Sequence, residues 1–80
     1  MERNTVTTMR ELENGDRFYK SSDKKKTVFE KVNHETKKTK YQTYQYWAVE
    51  VKYLGRVNAV EAFSKAITGS TEVVFLRNNN

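Results

Sequence analysis

Lys38, Lys40, Gln42, Tyr44 and Tyr46 stand two residues apart. On a regular β-strand that spacing puts all five side chains on one face. Lysine ammoniums meet phosphates, and exposed tyrosine rings stack on unpaired bases at about 1–3 kcal/mol per base. Lys24, Lys25, Lys26 and Lys37 carry the same charge close by in the chain. The expected nucleic-acid-binding set is therefore Lys24, Lys25, Lys26, Lys37, Lys38, Lys40, Tyr44 and Tyr46. The same residues have other uses. Tyr, Trp and Arg are preferred anchors of protein interfaces, so a second protein or a second copy of the chain competes as partner. Tyr44 and Tyr46 packed beneath a loop, with their hydroxyls wet, is the third reading.

The charge supports a polyanion partner. The 80 residues carry a formal charge of +5, and the segment from Lys20 to Lys40 holds eight Lys against three acids. The remaining residues hold seven basic and seven acidic groups, so the excess sits in that one segment. Such a surface attracts DNA, RNA or an acidic protein face. Lys-rich hairpin ends also keep a small domain soluble and block edge pairing.

Catalysis finds little support. There is no Cys, and the single His34 lies between Asn33 and Glu35 in a charged stretch. That position suits an exposed loop histidine better than a general base. Three unclustered glycines exclude a phosphate-cradling loop. A metal would need carboxylates converging from different strands, for example Asp16 and Asp23, and no cofactor or small-molecule substrate is implied. No apolar run approaches the length of a membrane span or a secretory h-region, and the absence of Cys rules out a disulfide framework. A small cytoplasmic, non-enzymatic domain is the expectation.

The elements that must position these residues are short strands. Thr5-Val6-Thr7 is either loose or a first strand. Thr8-Met9-Arg10-Glu11 has the capping-box pattern, and the turn signal at Asn14-Gly15 leaves room for only one helical turn after it. Arg17 to Lys20, Thr27 to Asn33 and Tyr41 to Tyr53 are rich in β-branched and aromatic residues and read as strands. In the longest of them, alternation predicts Trp47, Val49 and Val51 on the core face, with a bulge or bend along so long a run. Leu54-Gly55 reads as a tight hairpin loop. Two readings compete for residues 57–67. Val57 to Ala62 alternates as a strand, while Val60, Phe63 and Ile67 fall at helical spacing before Gly69. The short reversal at Leu54-Gly55 favours the strand. Thr71 to Arg77 closes the domain with Val73 and Phe75 on one face and Val74 and Leu76 on the other, so both faces need cover. Residues 1–77 form one domain, and Asn78-Asn79-Asn80 is expected to fray. Five or six strands at this cadence mean an all-β, small antiparallel barrel with one short helix, its core filled largely by ten aromatic residues.

Leu12-Glu13-Asn14-Gly15-Asp16-Arg17-Phe18 resembles the L-x-x-G-D-x-F opening of small SH3-like barrels from bacteria and their phages. Val57-Asn58-Ala59-Val60-Glu61, followed by Thr71-Glu72-Val73-Val74-Phe75-Leu76, resembles the N-A-V and T-E-V ending of the same proteins. Together the matches cover under a quarter of the chain, and Ala62 to Lys65 lacks the glycine turn of that pattern. The resemblance implies an SH3-like fold and a phage or mobile-element setting, but no activity. Within that setting the first expected function is nucleic-acid binding, and the alternative is a protein-binding module such as a phage inhibitor of a host factor.

Overall fold

The turn before the second strand is built by Gly15 and Asp16. Gly15 takes φ 93°, a left-handed value that suits glycine. The buried Asp16 carboxylate accepts from the Glu13 amide at 2.8 Å and from Asn78 Nδ2 at 2.7 Å. Gly15 also donates its amide to the Lys31 carbonyl at 2.8 Å and accepts from the Asn79 amide at 2.9 Å. One turn thereby ties three parts of the chain together.

In the computed structural model, which describes residues 1–33 and 45–79, six strands succeed one another along the chain. They are β1 (Thr5–Thr8), β2 (Asp16–Lys20), β3 (Phe29–Val32), β4 (Gln45–Glu50), β5 (Lys65–Thr68) and β6 (Glu72–Asn78). A 3₁₀ turn, Met9–Glu11, follows β1, and a second, Val51–Tyr53, follows β4. One short helix, α1 (Ala59–Phe63), precedes β5. The strands form one antiparallel sheet in the order β1-β6-β2-β3-β4-β5. The chain is all-β, as its turn cadence predicts; the one α-helix among the described residues is α1, and the helical turn expected after Thr8 is 3₁₀. The ladder stays open, with β1 and β5 at its edges. Across that opening, the first 3₁₀ turn donates its Met9 and Arg10 amides to the carbonyls of Thr71 and Gly69, at 3.0 and 2.9 Å. Thr8 makes no side-chain cap although it stands at the cap position, and one of the two amides it would serve, that of Arg10, is already satisfied by Gly69.

The core comprises Met9, Leu12, Phe18, Phe29, Ala48, Ile67, Val73 and Phe75, with Tyr46 packed against it. This corrects the expected face of β4. Residues directly opposite in a ladder share a face. Ala48 pairs with Lys31, and Tyr46 with the buried Ile67, so the even positions face the core. Trp47 and Val49 point the other way, and Val51 belongs to the second 3₁₀ turn rather than to a strand. Val49 is nonetheless 0% exposed, because α1 packs against β4 and buries Ala59. A strand covered on both faces gives alternation nothing to choose between.

Residues 57–67 are corrected in part. Residues 59–63 are helical and Lys65–Thr68 is a strand. No hairpin forms at Leu54-Gly55. Leu54 and Arg56 donate back to Val51 and Tyr53 at 3.1 and 3.0 Å, so the chain leaves β4 in tight turns. Asn58, at φ 56° and ψ 37°, then redirects it into α1. Within the run expected to bulge or bend, the described strand ends at Glu50 and the chain turns at Val51–Tyr53; a separate register shift lies in β2, between Arg17 and Phe18. The polar end is also corrected. Asn78 lies within β6 and Asn79 bonds to Gly15, while Asn80 lies outside the described residues.

Candidate nucleic-acid interface

The loop from β2 to β3 carries Lys24, Lys25 and Lys26, all exposed. Its shape comes from Asp23. The Asp23 amide donates to the Lys20 carbonyl at 2.9 Å, and the Lys26 amide donates to the Asp23 carbonyl at 3.1 Å. The Asp23 carboxylate accepts from the amides of Lys25 at 2.9 Å and Thr27 at 3.1 Å. These two amides hold its pKa below the usual carboxylate value, with a smaller contribution from the Lys20 charge. Lys26 sits in the left-handed region at φ 51°, so the loop turns sharply at its last lysine. A short Asp thus folds the backbone around itself and leaves three ammoniums pointing outward from an ordered loop.

Two further lysines stand at this end of the sheet. Lys20 Nζ and Lys65 Nζ each lie 5.9 Å from the centroid of the Phe29 ring, which stacks on Phe18 at 5.9 Å. Lys26 Nζ lies 5.8 Å from the Tyr19 ring. Among the described residues, three acids share this end. Asp23 is consumed by the loop, Glu50 pairs with Lys52 at 3.5 Å, and Glu72 stands at the start of β6, where its carbonyl accepts from Ser21. The cations outnumber them.

Tyr46 is not the stacking platform its position in sequence suggests. It is half-buried against the core, and Lys31 Nζ lies 4.3 Å from its ring centroid. Only the even face of an outward-turned β4 would have bared it, and that face is turned inward. Lys31 is itself 7% exposed. Its ammonium donates to the Met9 carbonyl at 3.3 Å and to the Leu12 carbonyl, bracing the first 3₁₀ turn against the sheet. One of the eight lysines of the basic segment is thus structural. Lys37, Lys38, Lys40 and Tyr44, and also His34, lie outside the described residues.

Burial lowers the pKa of Lys31, and the nearby charges of Asp16 and Glu13 oppose that shift. A lysine whose folded pKa is depressed binds fewer protons folded than unfolded as pH approaches 10.5, so its contribution to stability rises with pH across that window. Lys31→Met keeps the stem but removes both hydrogen bonds and orphans a buried carbonyl. A loss of about 1–3 kcal/mol is expected in urea denaturation, together with loss of the alkaline gain. A variant as stable as the parent, with the same pH profile, would refute the bracing role.

A second aromatic and cationic group forms where the run expected to be a strand ends in the second 3₁₀ turn. The rings of Tyr53 and Phe63 stack at 4.4 Å with an interplanar angle of 7°. Lys52 Nζ and Arg56 Cζ lie 5.1 and 5.7 Å from the Tyr53 centroid. The spacing of Tyr53 and Arg56, one helical turn apart, is the available signal in the sequence, but an expected hairpin at Leu54-Gly55 hides it.

Elsewhere, an open concavity of about 450 Å³ is lined by Met1, Arg3, Glu11, Glu13, Asp16, Phe75, Leu76, Arg77 and Asn78. Its charges are mixed in sign, and Asp16 is occupied by its own hydrogen bonds. Asp16 and Asp23, the pair named as an example of metal-binding carboxylates, stand at opposite ends of β2, each bonded to backbone amides. Among the described residues no group of three His, Cys, Asp or Glu could hold a metal ion, and no helix is long and apolar enough to cross a membrane. The chain matches no protein-family model, no curated protein and no solved structure.

Proposed function

We propose that this chain is a non-enzymatic binding module of the SH3-like kind that takes nucleic acid by its phosphates. The observation that carries this reading is the loop of Lys24, Lys25 and Lys26, held in shape by Asp23 while all three lysines stay exposed. An ordered cationic loop loses less conformational entropy on binding than a loose one. Lys20 and Lys65 add charge at the same end of the sheet. With Tyr46 packed away, phosphate contact rather than base stacking is the main source of affinity at this loop, so binding here reads little sequence.

The test is anisotropy of labelled DNA and RNA strands of about 12 nucleotides between roughly 50 and 200 mM salt. Three phosphate contacts predict a log–log slope of about −2 on single strands. No binding at the low-salt end, or binding indifferent to salt, overturns the reading. Absence of oligonucleotide binding would favour a protein partner, for which the uncharged edge strand β1 offers Val6 at 61% exposure.

A further inference from the structure

Val51, the first residue of the second 3₁₀ turn, donates its amide to the carbonyl of Val28 at 3.0 Å. Val28 is the last residue before β3, so this bond joins the turn to the lysine loop. β3 and β4 are neighbours in the sheet, and neighbouring strands lie about 4.8 Å apart. The turn that carries Tyr53 therefore leaves the sheet at the same end as the Lys24–Lys26 loop.

The stack has the features of a ligand surface as well as those of a helix dock. Phe63 covers one face of the Tyr53 ring, and Tyr53 remains partly exposed. Lys52 and Arg56 are exposed and within cation–π reach of that ring. Gly55 has open space where a side chain would stand, and the adjoining Val57 is 88% exposed. The Glu50 carboxylate, 3.5 Å from Lys52, raises the pKa of that ammonium, and Arg56 is charged at any working pH.

We infer that Tyr53, flanked by Lys52 and Arg56, is a base-stacking site that makes this module prefer single-stranded to double-stranded nucleic acid. The inference rests on the proposed function, since the lysine loop supplies the neighbouring phosphate contacts. A strand laid across the loop brings the next base to the Tyr53 ring, with its phosphate between Lys52 and Arg56. In a duplex the bases stack on each other and no ring face is offered, so the loop contacts survive and the ring contact does not.

The deciding experiment compares Tyr53→Leu, Tyr53→Phe and Arg56→Glu on single-stranded and duplex oligomers of about 12 nucleotides at roughly 50 mM salt, with circular dichroism to confirm folding. Tyr53→Leu keeps apolar bulk against Phe63 but removes the aromatic face. It is expected to weaken single-strand binding by roughly 5-fold or more while changing duplex binding by less than about 2-fold, since stacking contributes only to the first. Tyr53→Phe should retain the preference, and Arg56→Glu should weaken both ligands. Equal losses on both, or none, overturn the stacking site and leave the loop reading standing. Absence of binding by the parent protein overturns both. Should Tyr53→Leu fail to fold, Arg56→Glu with Tyr53→Phe still decides. The site then predicts a larger loss on single strands for Arg56→Glu, and an equal loss refutes it.

Discussion

Replacing Lys24, Lys25 and Lys26 together by Glu is expected to abolish oligonucleotide binding at about 150 mM salt. Each swap removes two charges, so three take the formal charge from +5 to −1. The effect goes beyond the net figure. Each phosphate contact releases condensed counterions, and losing three lowers the log–log salt slope by about two on single strands. The new carboxylates also repel the phosphates that the lysines would have met. An affinity loss on the order of 10³-fold is expected at this salt. The loop should keep its shape, because the Asp23 bonds run to backbone amides that the substitutions leave in place. Isothermal titration checks the affinity and amide exchange at Lys25 and Thr27 checks the loop. A triple variant that binds as the parent does would remove this loop from the site.

Phe18→Ala carries the largest expected cost in stability. Phe18 is 0% exposed, stacks on Phe29 and sits opposite Phe75 across the β2–β6 ladder. Removing a buried ring costs about 3–5 kcal/mol. A domain of this size has roughly 4–12 kcal/mol in all, so about a quarter or more of the total is lost. The melting temperature should fall by about 15 °C or more, as read by circular dichroism. The consequence reaches the site, because Phe29 carries Lys20 and Lys65 above its ring and rests on Phe18. A loss under about 1 kcal/mol would show that the core lies elsewhere.

The strands near tight turns are legible from residue chemistry. Gly15 next to Asp16 can serve one kind of turn, and β2 begins there. The 3₁₀ turn after Thr8 is legible for the same local reason. Its missing side-chain cap is not, because the Gly69 carbonyl that takes the Arg10 amide comes from the far end of the chain. The exposed Lys24–Lys26 loop is likewise visible, since three consecutive ammoniums have no low-energy home but water.

Tyr46 and Lys31 show the opposite case. Nothing in the local pattern of β4 distinguishes a ring that faces solvent from one that faces Ile67. That choice depends on α1 settling against the other side of the strand. Burying a lysine is favourable only when carbonyls such as those of Met9 and Leu12 wait for it, and they come from a distant turn. Tyr53 and Phe63 meet because a 3₁₀ turn and a short helix bring residues from two separate elements into stacking distance. Composition and turn chemistry are properties of neighbours along the chain, and they are enough for the all-β class and for where charge collects. Which side of a sheet is covered, and which cation is hidden, are properties of neighbours in space. They exist only once the long-range ladders have closed over the core and the helix has settled on the other face of β4.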